Sequence, residues 1–418
     1  MFKRNELNNI ISEWSGWLSK SQKSSLPREY NLKIPKKNAL ALIGVRRCGK
    51  SFSAANLLTD NLQKNLCVNF EDPFFINNSE NHILDDLVSV FTEYKQHIPQ
   101  TILFDEIYHI KGWERWIRKN IDLDNYQIIL TGSSAQMLSS ELASSLTGRC
   151  LTETIWPLSF KEYLTFSQNK YSTQNEFIAA LRDYMLWGGF PDVVLCADTN
   201  QKQALLQQYL SDILYKDIVT RYEIRSPRYL EQIINFYLTN ASNLHSYNSV
   251  RKAFGMNVDT VGDYTRYAQM CFLLFEVPRY HKNLKVQSRD QKKIYIVDTG
   301  LRNANVTTFT EDKGLLAENI VYIELRRRLQ NVYYFKEHCE VDFVTVNKNA
   351  PNQAIQVCYD NLENEKTRNR EIESLIECLQ FTGLKQGLIL TLNIEETEKV
   401  KNKTIKYIPL YKWLLQSS

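Results

Sequence analysis

The residues best suited to chemistry stand together as Gly44-Val45-Arg46-Arg47-Cys48-Gly49-Lys50-Ser51, a G-x-x-x-x-G-K-[ST] string. Each part has a task on a phosphate chain. Glycines let the backbone turn tightly, so that its N–H groups wrap phosphate oxygens. The lysine reaches the β- and γ-phosphates, and the serine hydroxyl holds Mg²⁺. These eight residues and Phe52 form the candidate nucleotide-binding set, with ATP and Mg²⁺ as the expected ligands. A second set begins at Asp105-Glu106, directly after the apolar run Thr101–Phe104. Asp105 would share the metal with Ser51, and Glu106 would orient or deprotonate an attacking water. Ser133 and Ser134 are candidates to sense a γ-phosphate. Arg149 would add a cation there, in cis or across a subunit boundary. The catalytic set expected for Mg²⁺-dependent hydrolysis is thus Lys50, Asp105, Glu106, Ser133 and Arg149.

These groups need a scaffold that brings them to one edge. Asn38–Ile43, Leu66–Phe70, Thr101–Phe104 and Tyr126–Leu130 are short apolar runs, and Cys150–Ile155 is a fifth strand-like segment. Strands apolar on both faces suit a buried parallel sheet, whose chemistry emerges at the carboxyl edge. Phe52–Leu58 reads as a helix whose amino end, with its dipole, faces the phosphates.

Downstream, the pattern from Phe160 to Pro227 is helical and reads as a lid, broken by Trp187-Gly188-Gly189-Phe190-Pro191. Leu205–Arg225 within it carries Lys216, Arg221 and Arg225. Tyr229–Leu238, Tyr247–Phe254 and Val258–Met270 are three helices, and Phe272–Val277 with Lys293–Val297 can pair as a wing. That is the order of a winged helix-turn-helix. Thr260, Tyr264, Arg266, Tyr267, Arg279, Lys282, Lys285 and Arg289 are its candidates for nucleic-acid contact.

The last third orders a helix, Leu315–Leu329 with Glu318, before the strands Val332–Phe335, Cys339–Val344 with Asp342, and Ala354–Cys358 with Gln356. Acids at those places resemble the PD-(D/E)XK nuclease core, in which they hold a metal beside a lysine. Cys358 stands where that lysine belongs, and a neutral thiol offers no positive charge. A degenerate site at Glu318, Asp342 and Gln356, binding DNA without cutting it, is the leading expectation; an active nuclease and a purely structural module, with Glu318 and Asp342 in internal salt bridges to nearby arginines, are the alternatives.

Composition narrows the classes. With 418 residues the chain should hold two or three domains. Hydrophobic residues make up 43% and charged residues 23%, as in a soluble globular protein. The net charge of +4 is too small to diagnose a nucleic-acid partner, so any basic surface must be local. Eight cysteines lie singly, with no C-x-x-C pair, which argues against a zinc ribbon or a disulfide framework. No run approaches the roughly 18 apolar residues of a membrane span, and no signal-like stretch opens the chain, so a cytoplasmic protein is expected.

Gly44–Ser51, Asp105-Glu106, Thr131–Ser134, Gly148-Arg149 and Pro157–Phe160, followed by Gly188–Pro191 and Ile294–Leu301, resemble prokaryotic AAA+ family ATPases related to the archaeal, STAND-like branch. The resemblance implies an α/β fold: a P-loop NTPase parallel-sheet core, a helical and winged-helix region, and a C-terminal restriction-endonuclease-like domain. Boundaries follow as 1–160 for the ATPase domain, 161–227 for the lid, 228–300 for the winged helix and 301–418 for the nuclease-like part. An ATPase whose nucleotide state acts on a DNA-binding half is the leading expectation. The alternatives are a STAND-like switch that scaffolds protein partners, and an ATP-gated nuclease; either is compatible with an oligomer.

Overall fold

A computed structural model describes residues 2–58, 62–134, 146, 148–307, 313–360 and 362–416. The chain divides into two compact units, Met1–Trp156 with Met270–Phe272, and Pro157–Gln269 with Leu273–Ser418.

In the first unit, strands β1 (Ala39–Ile43), β2 (Asn65–Asn69), β3 (Thr101–Asp105), β4 (Gln127–Gly132) and β5 (Cys150–Thr154) form one sheet, ordered β2-β3-β4-β1-β5. Every neighbouring pair is parallel. All five residues of β1 and of β3 are buried, as expected of strands covered on both faces. The register pairs Ile43 with Gly132 and Asn69 with Asp105, so four strands end together at the carboxyl edge. The helix expected over Phe52–Leu58 starts earlier, at Lys50, and ends at Ala55. A helix with no counterpart in the sequence reading, Phe2–Ser24, buries Leu7, Ile10 and Ile11 against Leu66, Val68 and Phe91. Its apolar residues recur at the i, i+3, i+4 spacing that faces one side of a helix.

In the second unit, helices Phe160–Phe166, Gln174–Trp187, Pro191–Leu195 and Thr199–Asp212 are followed by a π-type turn at Ile213–Val219. Helix Pro227–Thr239, strand β6 (Leu244–His245), helices Tyr247–Phe254 and Val258–Met270, and strands β7 (Leu274–Val277) and β8 (Lys292–Ile296) come next. The three strands pair antiparallel in the order β6-β8-β7. A six-stranded sheet closes the chain, built from β9 (Asn331–Lys336), β10 (Glu340–Asn347), β11 (Ala350–Cys358), β12 (Gln386–Thr391), β13 (Glu396–Val400) and β14 (Lys403–Pro409). Its order is β13-β14-β12-β11-β10-β9. Helix Lys313–Arg327 precedes β9, and helix Glu365–Thr382 carries the chain from β11 to the parallel β12. The three parts expected after residue 160 therefore fold as one compact unit.

The Gly188-Gly189 break has a clear cause. Gly188 takes φ 75°, and a Cβ there would lie 2.0 Å from a carboxylate oxygen of Asp298. Asp298 accepts from Gly189 N at 2.6 Å and caps helix Thr299–Asn305 through Leu301 N at 3.0 Å. Two motifs more than a hundred residues apart in sequence are thus one clamp, and burial pushes the Asp298 carboxyl up to about 6.

Candidate nucleotide site and a second acidic cluster

The loop after β1 is shaped by its backbone. Gly49 adopts φ 99° and Arg47 φ 69°, both in the left-handed region. Gly44 is glycine for a packing reason, since a Cβ would lie 2.1 Å from the Ile155 carbonyl oxygen. Arg28 braces the loop from outside, donating to Cys48 O at 3.0 Å and to Trp156 O at 2.8 Å. Cys48 is buried and its thiol donates to Ile155 O at 3.1 Å, so it packs inside the loop. Arg46 reaches sideways to Glu71 at the end of β2, 2.7 Å away. Against the cost of burial, that guanidinium holds the Glu71 carboxyl below its usual range.

Lys50 and Ser51 open the following helix. The Lys50 ammonium donates to Val45 O at 3.2 Å and stands 3.7 Å from Glu106 Oε1. The Ser51 hydroxyl lies 2.8 and 2.9 Å from the two carboxylate oxygens of Asp105. Asp105 also accepts from Asn69 Nδ2 at 2.8 Å and from the Thr131 hydroxyl. Three neutral donors thus orient a buried carboxylate whose charge nothing fully cancels. Burial first, and the Glu106 charge second, push it up to about 6. Glu106 is held on both sides: its N–H donates to Thr131 Oγ1 at 3.0 Å, and its Oε2 accepts from Ser133 N at 3.2 Å.

Most of the expected residues therefore meet at one edge. Lys50, Ser51, Asp105, Glu106 and Ser133 form one connected set, and Ser133 joins it through its backbone N–H. Its hydroxyl faces Tyr108 at 3.4 Å. Ser134 is buried beside it. Asn69 and Thr131 had been given no role. Asn69 is a polar residue ending an apolar strand, and the pairing of β2 with β3 is what sets it against Asp105.

The cis placement of Arg149 is corrected, while its role across a subunit boundary is not tested by a single chain. Arg149 precedes β5, whose first residue, Cys150, pairs with Ala39, the first residue of β1. The phosphate loop follows the other end of β1, roughly 13 Å away at about 3.3 Å per residue. Arg149 instead bonds Asp122 at 2.6 Å, so it does not reach the phosphate loop of its own chain.

The donor set fits a nucleotide with its metal. A backbone loop turned through left-handed residues, an ammonium, and a hydroxyl and carboxylate 2.8 Å apart are hard-cation and phosphate chemistry.

In the second unit the candidate DNA-contact residues are partly engaged. The link between β7 and β8 carries helix Leu284–Arg289 and bonds to β9, with Tyr280 N donating to Tyr334 O at 2.6 Å. The expected strand pairing is present, β7 with β8, and the link between them lies along the β9 edge. Arg279 is bound to Asp290 at 2.9 Å and to Glu337 at 2.5 Å. Tyr267 stacks on Tyr222 with ring centroids 3.9 Å apart. Both side chains are engaged with neighbours within the protein and are half-buried. Lys282 lies 5.4 Å from the centre of the Phe381 ring. Thr260 and Tyr264 are half-buried; Arg266, Lys285 and Arg289 are exposed.

The acids Glu318 and Asp342 do come together, on helix Lys313–Arg327 and on β10. Between them stands Lys293 of β8, 3% exposed, 2.9 Å from Glu318, 3.0 Å from Asp342 and 3.0 Å from Glu340. Tyr295 adds a hydrogen bond to Glu318 at 2.6 Å. Gln356 accepts from Asp342 N at 3.2 Å and donates to Glu371 at 2.7 Å, turned away from the ammonium. The Cys358 thiol donates to Asp360 O at 3.4 Å, and burial pushes it up to about 12.

Residues 36–164 match the model of an AAA domain, and residues 178–312 match a domain of unknown function (DUF8612). The chain is 31% identical to the uncharacterized protein MJ1544 of Methanocaldococcus jannaschii, over 93% of this chain and 90% of that protein. It is 30% identical to an uncharacterized protein of Haemophilus influenzae, over 75% of this chain and 77% of that one. The ORC1 protein of Aeropyrum pernix, solved in complex with DNA, aligns over 77% of this chain and 94% of its own at 9% identity, and its TM-score of 0.33 is too low to carry an argument. No described helix is long and apolar enough to cross a membrane. With its AAA domain on a five-stranded parallel sheet, this chain is a P-loop AAA+ protein that belongs to one family with MJ1544 and the Haemophilus influenzae protein.

Proposed function

We propose that the protein hydrolyses ATP with Mg²⁺ and uses its nucleotide state to act on DNA held by the second unit. The observation that carries this reading is the connected set Lys50, Ser51, Asp105 and Glu106 at one sheet edge, with Ser51 and Asp105 already 2.8 Å apart. Ser51 and Asp105 would hold Mg²⁺, which supplies charge neutralisation on the β- and γ-phosphate oxygens. Lys50 would swing from Val45 O onto phosphate, whose negative charge would take the place of Glu106 as its partner. Glu106, kept in place by the Ser133 N–H, accepts the proton of the attacking water. Ser133 acts by that backbone bond.

The DNA reading is supported by element order. Helix Pro227–Thr239, β6, helices Tyr247–Phe254 and Val258–Met270, and β7 with β8 follow the sequence of a winged helix. Thr260, Tyr264 and Arg266 on its third helix remain the contact candidates, joined by the exposed Arg251 and Lys252 on the second. Such groups position a protein on phosphates. Phosphate release, measured with and without duplex DNA, tests both halves. The expected result is turnover that duplex stimulates and that Lys50→Ala lowers at least about 100-fold. Unchanged turnover in that variant contradicts the ATP reading. Indifference to DNA moves the second unit to a protein-scaffolding role, as in a STAND-like switch.

A further inference from the structure

The carboxylates of Glu318, Glu340 and Asp342 come from one helix and one strand, and all three point at a single atom, Lys293 Nζ. An ammonium has three N–H donors and no acceptor. Here each donor has its own carboxylate, at 2.9, 3.0 and 3.0 Å. That spacing is decisive. Charged N–H···O bonds span about 2.7–3.2 Å, whereas Mg²⁺ and Ca²⁺ sit about 2.0–2.6 Å from oxygen. The acidic ring is sized for nitrogen. Among the described residues, no group of three or more His, Cys, Asp and Glu is arranged to hold a metal ion.

The acids have further partners. Asp342 turns its other oxygen to Val357 N at 2.9 Å, Glu340 its other oxygen to Lys336 at 3.2 Å, and the Glu318 oxygen that meets Lys293 also accepts from the Tyr295 hydroxyl. The ammonium leaves no open coordination position at which a water could be activated. We propose that Lys293 is the resident cation of this cluster, filling in the wild-type protein the place that a divalent metal would take among such acids. The lysine that a hydrolytic site would use is absent from β11, where Cys358 stands. A different lysine, from β8, enters the centre and converts a metal-type acid set into a metal-free joint between the three-stranded sheet and the six-stranded one. This inference goes beyond the ATP reading and does not depend on it.

The test is Mn²⁺ binding by the full chain without nucleotide, followed by electron paramagnetic resonance and by thermal melting. Lys293→Ala is expected to take up one more Mn²⁺ per chain than wild type, to melt higher when Mn²⁺ is added, and to lose both gains in Lys293→Ala/Asp342→Asn. Equal uptake by wild type and Lys293→Ala overturns the proposal. A second comparison needs no destabilised protein, because Glu340 is partly exposed. Wild type and Glu340→Gln are expected to bind Mn²⁺ equally. Uptake by wild type that Glu340→Gln abolishes would show a living metal site and overturn the proposal. ATP turnover plays no part in either readout, so failure here is distinct from failure of the nucleotide reading.

Discussion

Two buried lysines face carboxylates in this molecule, and they are held in opposite ways. Lys50 stands 3.7 Å from Glu106, beyond hydrogen-bond reach, and donates to a backbone carbonyl. Lys293 meets three carboxylates at 2.9–3.0 Å. The first arrangement has loose charge pairing, so a phosphate can take over the ammonium at little cost. The second is saturated, and taking away either partner strands a buried charge. Loose pairing leaves the ammonium for a ligand to take, whereas tight pairing makes the loss of either partner alone costly.

The contrast predicts unequal costs. Removing one partner of a buried ion pair costs about 3–5 kcal/mol, and a unit of this size loses about 2–4 °C per kcal/mol. Lys293→Met should therefore lower the melting temperature by about 10 °C, while Lys50→Met, measured side by side, should shift it by no more than about 2 °C. Equal losses would erase the distinction. Asn69→Ala sharpens it at the open site. Asn69 orients Asp105 through its amide N–H and accepts from the exposed Glu71 N with its oxygen, and losing an outer-shell partner typically weakens metal binding 10–100-fold. The Mg²⁺ concentration for half-maximal phosphate release should rise at least about tenfold in that variant, with the melting temperature nearly unchanged.

The smallest effect is one of pH. Three carboxylates surround one ammonium, and burial first, with Asp342 second, pushes Glu318 from 4.5 up to about 7. A raised value means that the folded chain keeps a proton which the unfolded chain has already released between those limits. The stability it contributes is complete below pH 4.5 and is lost as pH climbs to about 7. Denaturant titrations of wild type and Glu318→Gln across that window should show a shallower decline in the variant. Parallel slopes would refute the charge count.

The open site was far more legible in the sequence than the closed one. Gly44–Ser51 and Asp105-Glu106 are contiguous strings whose spacing carries the mechanics, and the structure brings them to one edge. Arg149 misled because chain order puts it before β5 but not at a sheet edge; only the parallel register with β1 shows that this end lies opposite the phosphate loop. Asn69 was hidden for a related reason, since its role depends on β2 lying beside β3. Glu318 and Asp342 were found by order along the chain, but Lys293 lies on a strand of another sheet, and no local pattern links it to them. The wing residues were read as exposed because basic side chains usually are. Arg279 and Tyr267 are half-buried, because Asp290, Glu337 and Tyr222 meet them through tertiary packing. Helix Phe2–Ser24 escaped because its apolar residues are sparse, although three of them share one face.

The central claim is that Glu106 acts on water at a site whose loop and ammonium bind the nucleotide. Glu106→Gln tests it most directly, since the amide keeps the shape and the acceptor for Ser133 N but has lost the base. Measured together on that variant, ATP binding should match wild type while single-turnover phosphate release falls by at least about 100-fold. Release at the wild-type rate, with binding intact, would contradict the account.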